Sequence, residues 1–351
     1  MLRAMEETRR LTVAVTGPTG DIGRALLKRL DTEPGVDRVI GMARRPFDPE
    51  SEGLTKVEYR QGDITNRRDV EELVAGADVV IHLAFLIFGS IEETQKINLE
   101  GCENVFKAAL DSGAKRLIYT SSVAAYGFHE DNPELLTEDV PPRGTEEHTY
   151  SAQKAELEKK LNDMSVGSST EVYLFRPCIV AGPTALSLIE KIPYVQLADK
   201  LPAAARKVVQ SLPLLRPLIP DPGVPFQLVH EEDVADALTA ASLGRGEPGV
   251  YNLAGEGEIT LSDMAHALGW YALPIPEIAV DATVKVVSRL PLLPVEAKWI
   301  NALRVPVLMD TTRAREKLGW EPAFDALETL GDTIHAARKK GLLALPSKHR
   351  V

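Results

Sequence analysis

Short apolar runs alternate with segments of helical periodicity through the first half of the chain. The strand-like runs are residues 11–16, 38–43, 78–83, 116–121 and 171–175. Between them, apolar side chains recur at helical spacing in residues 22–30, 69–74, 97–110 and 151–161. Strands that are apolar throughout need cover on both faces, which helices between successive parallel strands provide. The pattern therefore predicts an α/β fold with a doubly wound parallel sheet.

The pattern changes after residue 182, where a segment rich in proline and leucine begins and no period is sustained. We interpret this change as the start of a smaller C-terminal lobe. The later elements expected are a strand and helix at 226–242 and a strand at 250–253, both rejoining the main sheet, and lobe helices at 262–268 and 314–318. The predicted division is a main domain of residues 10–182 with 225–256 and a smaller lobe of residues 183–224 with 257–345.

Three glycines follow the first predicted strand, in the sequence Gly17-Pro-Thr-Gly20-Asp-Ile-Gly23. The first permits a tight turn, the second lets a diphosphate approach the backbone, and the third lets the next helix pack closely on the sheet. The helix N-terminus adds free N–H groups and a positive dipole end. The alternative is a plain glycine-rich turn. We predict a Rossmann-type dinucleotide site, with loop contacts from Gly17, Thr19, Gly20, Asp21, Ile22 and Gly23.

The end of the second predicted strand distinguishes the two nicotinamide cofactors. An acidic residue there accepts a hydrogen bond from a ribose 2′-hydroxyl, whereas an arginine pairs with a 2′-phosphate. Here the strand is followed by Arg44 and Arg45, with no acid. The sequence predicts NADP, bound by Arg44 and Arg45. NAD is the alternative, with both arginines as ordinary surface residues.

Tyr150 and Lys154 lie one turn apart in a predicted helix, so their side chains share a face. A free tyrosine titrates near about pH 10, and a nearby cation lowers that value. Tyr150 can then exchange a proton with a hydroxyl or carbonyl oxygen while hydride moves at the adjacent carbon. Ser122 follows a predicted strand at the carboxyl edge of the sheet, where it can orient the reacting oxygen. We predict Ser122, Tyr150 and Lys154 as the catalytic residues.

Composition excludes several other classes of protein. The net charge of -11 and the lack of a basic stripe argue against a nucleic-acid partner. Apolar residues make up 44%, yet the longest early apolar stretch falls short of the roughly 20 residues that span a bilayer. The two cysteines show no metal or redox spacing, and neither do the histidines. We expect a cytoplasmic protein with no membrane span and no metal.

Taken together in this order, these motifs resemble the extended short-chain dehydrogenase/reductase family, which includes NAD(P)-dependent epimerases, dehydratases and reductases. Further motifs similar to the family's are residues 62–64, 80–84, 97–101, 120–127, 175–183, 229–235 and 310–322. The resemblance implies that the main domain binds the dinucleotide, that the smaller lobe binds substrate, and that Lys154 holds the nicotinamide ribose. The additional cofactor contacts it implies are Asp63, Ile64, Leu83, Ala84, Thr120 and Pro177. It leaves open a homodimer through the helices after Asn98 and Tyr150.

Departures from the family's motifs narrow the predicted chemistry. Family dehydratases carry an Asp-Glu pair after the active-site hydroxyl, whereas Val123 and Ala124 follow Ser122 here. Residues 186–218 are apolar, which favours an apolar ligand. We therefore predict an oxidoreductase acting on an alcohol/carbonyl pair of a fairly hydrophobic small molecule. Arginines that nevertheless could clamp a phosphate are Arg206, Arg216 and Arg304.

Two other functions stay open on the sequence. A sugar-nucleotide epimerase runs the same hydride step twice and keeps its NAD tightly bound. A non-catalytic sensor would keep the dinucleotide fold alone, although the intact set of Ser122, Tyr150 and Lys154 argues against it.

Overall fold

The predicted parallel sheet is confirmed by the structure, a computed structural model that describes residues 10–87, 89–192, 194–196, 216–276 and 305–343. Within these residues, seven strands form one sheet in which every neighbouring pair is parallel. In spatial order the strands are β3 (Val57–Gln61), β2 (Val36–Ala43), β1 (Leu11–Thr16), β4 (Val79–His82), β5 (Arg116–Thr120), β6 (Glu171–Pro177) and β10 (Gly249–Leu253). The strand order reverses between β1 and β4, so their carboxyl ends frame a crevice.

Helices cover both faces of this sheet. Successive side chains of a strand point to opposite faces, so Val13 and Val15 pack in one apolar cluster and Ala14 in the other. The first cluster is covered by α1 (Asp21–Thr32) and α7 (Glu231–Ser242), and the second by α2 (Arg67–Val74), α4 (Gly101–Asp111) and α5 (Thr149–Ser165). Burial on both faces explains why the strands are apolar throughout.

A long helical stretch follows β4, where the sequence predicted a helix only at residues 97–110. It begins with α3 (Ile91–Thr94) and passes through the π-helical turn Gln95–Glu100 into α4. Asn98 lies in the π turn with its side chain fully buried. Its amide accepts from the backbone N–H of Leu86 at 2.8 Å and donates to the Leu86 carbonyl at 2.9 Å. The π turn therefore fixes the loop that leaves β4.

Two elements lie outside the predicted pattern. Strand β3 is an edge strand with mostly polar residues, so it lacks the apolar run of the inner strands. Helix α9 (Ala326–Lys339) begins at a capping box: Asp325 accepts from the N–H of Glu328, and Glu328 accepts from the N–H of Asp325. It buries Leu330 and Ile334 in the smaller lobe.

The part of the chain predicted as the smaller lobe contains a third apolar cluster, built mainly on α6 (Ser187–Glu190), α8 (Leu261–Leu268) and α9. Outside the main sheet, the described residues form two short parallel pairs, β7 (Ile179–Ala181) with β9 (Leu228–His230), and β8 (Leu218–Asp221) with β11 (Tyr271–Pro274). The expectation that residues 226–242 rejoin the main sheet was wrong for β9, because it pairs with β7. Strand β10 does rejoin the sheet, beside β6.

The turn Ala314–Leu318 packs differently from the prediction. Its buried side chains join Trp320 in the cluster of the main domain, although the sequence placed this turn in the smaller lobe. The Trp320 indole donates to the carbonyl of Asp233 in α7 at 2.8 Å. This segment therefore returns to the main domain, and the rest of the two-unit division stays a prediction.

Candidate active site

The glycine loop connects β1 to α1, and two of its glycines leave no room for a side chain. Gly17 has a φ of +73°, and a Cβ on it would lie 2.7 Å from the backbone nitrogen of Ala84. A Cβ on Gly23 would overlap the carbonyl oxygen of Gly17. Both positions therefore require glycine for backbone reasons, as the loop motif predicts.

Gly20 differs from the other two, because its open side is available to a ligand. A Cβ there would meet only the Gly17 carbonyl oxygen, at 3.5 Å. Gly20 is also the N-cap of α1, and no side chain caps this helix. The first-turn N–H groups have no intrahelical acceptor, so the half-buried Thr19 and the exposed Gly20 border a cradle of donors. This arrangement fits the diphosphate of a dinucleotide.

Asp21, in the first turn of α1, contacts the smaller lobe with its side chain. The Ser187 hydroxyl donates to its carboxylate at 2.5 Å. Burial raises the pKa of Asp21, and this hydrogen bond opposes the rise. One carboxylate oxygen of Asp21 is therefore engaged within the protein, and its backbone N–H belongs to the donor cradle. Ile22 beside it packs partly buried against the main core.

The loop after β2 presents Arg44 and Arg45 with exposed side chains. Its backbone is fixed by Tyr59, whose hydroxyl donates to the carbonyl of Ala43 at 2.7 Å, and by Gln61, which donates to the carbonyl of Arg44 at 2.8 Å. In the described ranges, neither arginine pairs with a carboxylate. Their charges are therefore free for an anion at this end of the sheet.

Asp63 and Ile64 follow β3, where the resemblance places the adenine. The Asp63 carboxylate accepts from the backbone N–H of Thr65 at 2.9 Å and from its hydroxyl at 3.0 Å. Ile64 is 6% exposed, and its carbonyl accepts from Asn104 at 3.0 Å. The turn is thus held from both sides.

The carboxyl ends of β1 and β4 are joined by Thr16. Its carbonyl accepts from the N–H of Leu83 at 3.1 Å, and its hydroxyl lies 3.3 Å from the N–H of Ala84 and 2.6 Å from Nδ1 of His82. Burial lowers the pKa of His82 to about 3, so its ring is neutral at pH 7. Leu83 and Ala84 are half-buried at the crevice, beside Gly17.

Ser122 and Tyr150 meet in the structure, because two turns of the backbone are tied together. Ser122 begins the 3₁₀ turn Val123–Tyr126, and its side chain lies near enough to Tyr150 to lower the pKa of the phenol against the effect of burial. Ser151, the next residue of α5, donates to the carbonyl of Ala124 at 2.6 Å. The start of α5 is therefore fastened to the turn that carries Ser122.

Lys154 lies one turn further along α5 and is 2% exposed. Its ammonium donates to the carbonyl of Thr120 at 2.9 Å and to the hydroxyl of Tyr119 at 3.3 Å. It lies 5.9 Å from the ring centroid of Tyr150. The structure thus brings the three predicted catalytic residues together at the ends of β5 and α5.

The ionisation of this group differs from the prediction in one respect. Burial lowers the pKa of Lys154 to about 8. Burial also raises the pKa of Tyr150, while the hydrogen bond with Ser122 opposes that rise. In the protein alone, the lowering of the Tyr150 pKa that we expected from Lys154 does not prevail, and the phenol is neutral at pH 7.

Thr120 and Pro177 complete the expected cofactor contacts, at the ends of β5 and β6. Thr120 is 7% exposed, and its hydroxyl has no hydrogen-bond partner within the described residues. A buried hydroxyl without a partner costs free energy that a bound polar group can recover. Together with the donor cradle at Gly20, this hydroxyl shows that the residues present fit a nicotinamide dinucleotide.

Several side chains around the site carried no sequence signal. Phe85 packs edge-on against Tyr150, with ring centroids 5.4 Å apart. Next to β5, Arg176 on β6 forms a buried ion pair with Glu158 on α5. The Glu158 carboxylate also accepts a hydrogen bond from Ser121, just after β5, at 2.5 Å. These contacts join residues far apart in the chain, so no local motif marks them.

The chain belongs to the NAD dependent epimerase/dehydratase family. The family model matches residues 13–254, a span that includes the glycine loop, Ser122, Tyr150 and Lys154. This confirms the resemblance drawn from the motifs, and it makes the chain a member of a family of NAD-dependent enzymes. Because the family also contains epimerases and dehydratases, membership leaves the reaction and the substrate undetermined.

Several known proteins are similar over most of the chain. UDP-glucose 4-epimerase of Vibrio cholerae is 25% identical over 93% of this chain and 95% of its own. An uncharacterized protein of Mycobacterium tuberculosis is 25% identical over 97% of this chain and 86% of its own. Human 3 beta-hydroxysteroid dehydrogenase type 7 is 34% identical over 42% of this chain and 43% of its own. The structure of dTDP-glucose 4,6-dehydratase from Streptomyces venezuelae, with NAD bound, shares the fold. Its TM-score is 0.70 at 18% identity, over 95% of this chain and 99% of the other.

Two further features bear on partners. Among the described residues, no helix has the length and apolar character needed to cross a membrane. The same residues contain no cluster of three or more histidine, cysteine or acidic side chains placed to hold a metal ion. Arg216 is half-buried at the start of the small lobe's β8 segment, whereas Arg206 and Arg304 lie outside the described residues.

Proposed function

We propose that this chain is an oxidoreductase that moves hydride between a nicotinamide cofactor and an alcohol/carbonyl pair of a fairly hydrophobic small molecule. The observation that carries the proposal is that Ser122, Tyr150 and Lys154 lie together at the carboxyl end of β5, the strand beside β4. Phe85 packs on Tyr150, and Ala84 lies against Gly17, so the segment after β4 links the catalytic residues to the glycine loop. We infer that a dinucleotide bound on this loop reaches the catalytic residues with its nicotinamide end.

In this proposal each residue has a defined role. The bound nicotinamide supplies or accepts the hydride at the substrate carbon. During reduction Tyr150 donates its proton to the carbonyl oxygen, and during oxidation it accepts the proton of the hydroxyl. Ser122 hydrogen-bonds the same oxygen. Lys154 holds a positive charge behind Tyr150, which stabilises the phenolate as it forms.

The surroundings of Tyr150 favour an apolar substrate. The segment that leaves β4 is Leu83-Ala-Phe85-Leu86-Ile87, and Ile87 is 44% exposed. Apolar walls with few polar groups suit ligands that are themselves apolar. Val123 and Ala124 occupy the turn after Ser122, so the acid and base that elimination requires are missing there.

The replacement of Tyr150 by phenylalanine tests the catalytic role. We expect kcat to fall by about 10²- to 10⁴-fold, because the proton donor is lost while the ring remains. The measurement is nicotinamide absorbance during turnover of a panel of hydrophobic secondary alcohols and ketones, with cofactor affinity measured separately. Tyr271→Phe is the matched control, since Tyr271 is 49% exposed on β11. Normal turnover by Tyr150→Phe with a true substrate would contradict the mechanism.

For the cofactor we propose NADP, on the basis of Arg44 and Arg45. Arg44→Ala should weaken NADP binding by roughly 10-fold or more and leave NAD binding unchanged, because it removes a charge-assisted hydrogen bond to the 2′-phosphate. Titration of the native protein and of Arg44→Ala with NADP and with NAD measures these affinities. Arg38→Ala is the control, because Arg38 lies on β2, the strand that precedes Arg44, and pairs with Glu58. A preference for NAD that Arg44→Ala does not alter would leave NAD as the cofactor.

A sugar-nucleotide epimerase is the second candidate, favoured by the similarity to UDP-glucose 4-epimerase over nearly the whole chain. An epimerase returns the hydride to its own substrate and releases no reduced cofactor. Acid denaturation of the purified protein, followed by assay of the released nucleotide, separates the candidates. Stoichiometric NAD together with interconversion of UDP-glucose and its epimer would favour the epimerase. A cofactor that exchanges freely favours the oxidoreductase.

A further inference from the structure

The buried ammonium of Lys154 lies among aromatic rings. The Phe85 ring centroid is 3.8 Å from Nζ, and the Tyr119 centroid is 5.0 Å away. Tyr150 contributes a third ring at 5.9 Å. In the part of the chain that the structure describes, no carboxylate lies within ion-pair distance of this ammonium. The rings, with the Thr120 carbonyl, are thus its immediate surroundings.

Phe85 is the ring that touches both members of the catalytic pair. It lies closest to the ammonium and packs perpendicular to Tyr150, at an interplanar angle of 90°. Its backbone follows Ala84, at the crevice, and the next residue, Leu86, is fixed by Asn98. The ring is therefore held from the β4 side, opposite the helix that carries Lys154.

We propose that Phe85 is a positioning residue, which holds the Lys154 ammonium by a cation–π contact and fixes it relative to Tyr150. A ring face attracts a cation through its quadrupole without cancelling the charge as a carboxylate would. The charge of Lys154 stays available to a phenolate or to a bound cofactor. The role of this contact in catalysis rests on the proposed function, whereas the contact between Phe85 and Lys154 is independent of it.

Burial keeps the pKa values of the cysteine, histidine and tyrosine side chains near Lys154 away from neutral pH. Cys102 on α4 has its pKa raised to about 12 by burial, and burial keeps His82 on β4 neutral. Burial raises the pKa of both Tyr119 and Tyr150. Glu158 on α5 is engaged with Arg176. A titration seen between about pH 7 and pH 10 in this cluster therefore belongs to Lys154.

Substitution of Phe85 can change the Lys154 pKa in two ways, which have opposite signs. Loss of the ring face removes a contact that favours the charged form, which lowers the Lys154 pKa. Admission of water in place of the ring favours the charged form and raises that pKa. Leucine and methionine fill nearly the same volume without a ring face. Tryptophan presents a stronger one.

The experiment is an NMR titration of the lysine side chains in the protein without cofactor or substrate. The Lys154 signal is identified by its loss in Lys154→Met. We expect Phe85→Leu and Phe85→Met to lower the Lys154 titration midpoint by about 0.4 to 1.5 pH units, and Phe85→Trp to keep or raise it. A midpoint that is unchanged or raised in both aliphatic variants would overturn the proposal.

This readout is independent of turnover, so it separates the two proposals. If the native protein reduces no carbonyl compound but the midpoint moves as expected, the cation–π contact stands and the proposed function fails. Where turnover is found, the pH limb of kcat should move with the NMR midpoint in Phe85→Leu. If Phe85→Leu changed KM alone, Phe85 would be a substrate-binding residue, and the positioning role would be contradicted.

Discussion

Two buried cations beside strand β5 are held in opposite ways. Arg176 on β6 and Lys154 on α5 are each 2% exposed. Arg176 meets both oxygens of Glu158, with Nε at 3.1 Å from each and a second nitrogen at 2.5 Å from one. Among the described residues, Lys154 meets a carbonyl, a hydroxyl and the faces of rings, but no carboxylate. One charge is neutralised by its neighbour, and the other is not.

The ionisation of the two groups follows this difference. Burial lowers the pKa of both. For Arg176 burial is the largest single effect, but the hydrogen bonds and charges of Glu158 and Tyr126 together outweigh it and raise its pKa above the ordinary value. For Lys154 burial prevails, and the pKa falls to about 8. The paired cation, Arg176, stabilises the fold because its ion pair with Glu158 joins β6 to α5. The unpaired cation, Lys154, lowers the stability of the folded protein, and its shifted pKa is typical of a catalytic group.

The largest effect is expected from breaking the paired cation. Arg176→Met leaves the Glu158 carboxylate buried without its partner, so the free energy of unfolding should fall by about 3–5 kcal/mol. Urea unfolding followed by circular dichroism measures the change. The double variant Arg176→Met with Glu158→Leu should recover most of the loss, because no charge is then left buried. A single variant as stable as the native protein would show that the pair is not a structural tie.

Removal of the unpaired cation should have the opposite sign. Lys154→Met takes away a charge that burial disfavours, so the free energy of unfolding should stay the same or rise by up to about 2 kcal/mol. Turnover should fall at least about 10²-fold, as the cation behind Tyr150 is lost. The same urea series tests the stability and the same nicotinamide assay the turnover. A loss of stability as large as that of Arg176→Met would erase the distinction between the two cations.

The sequence predicted those parts of the molecule that local patterns encode. Strand β1 was predicted with the bounds that the structure gives it, because its residues face apolar clusters on both sides. The glycine loop was predicted because Gly17 and Gly23 are required by backbone contacts within the motif and with β4. Tyr150 and Lys154 were found by their helical spacing. Their roles, like those of Ser122 and the cofactor contacts, stay predictions.

Long-range pairs account for most of what the sequence could not show. Glu158 and Arg176 lie on different elements, and nothing in either segment requires the other. Phe85 reads as one more apolar residue after a strand, and only the packed structure places its ring 3.8 Å from an ammonium. Strand β9 pairs with β7 in a separate two-stranded sheet, which the apolar pattern of residues 226–230 does not reveal.

Asp233 in α7 extends the comparison to a buried acid. It is 1% exposed and, within the described ranges, has no cation at ion-pair distance, although the N–H groups of Ala323 and Phe324 donate to it. Burial raises its pKa from 3.8 to about 6, against those hydrogen bonds. Like Lys154, it is an unpaired buried group whose pKa has moved towards the neutral form.

The smallest expected effect is the pH dependence that Asp233 gives to stability. Because the folded protein binds this proton more tightly, the stabilisation is fully present below about pH 4 and is lost as the pH rises through about 6. Asp233→Asn cannot ionise, so its stability relative to the native protein should improve on the order of 1 kcal/mol between those values and then level off. Urea unfolding at a series of pH values measures this, with Asp236→Asn, at an exposed site on the same helix, as control. A constant difference across the series would mean that Asp233 has the same pKa in the folded and the unfolded protein, so that its two backbone donors fully offset the effect of burial.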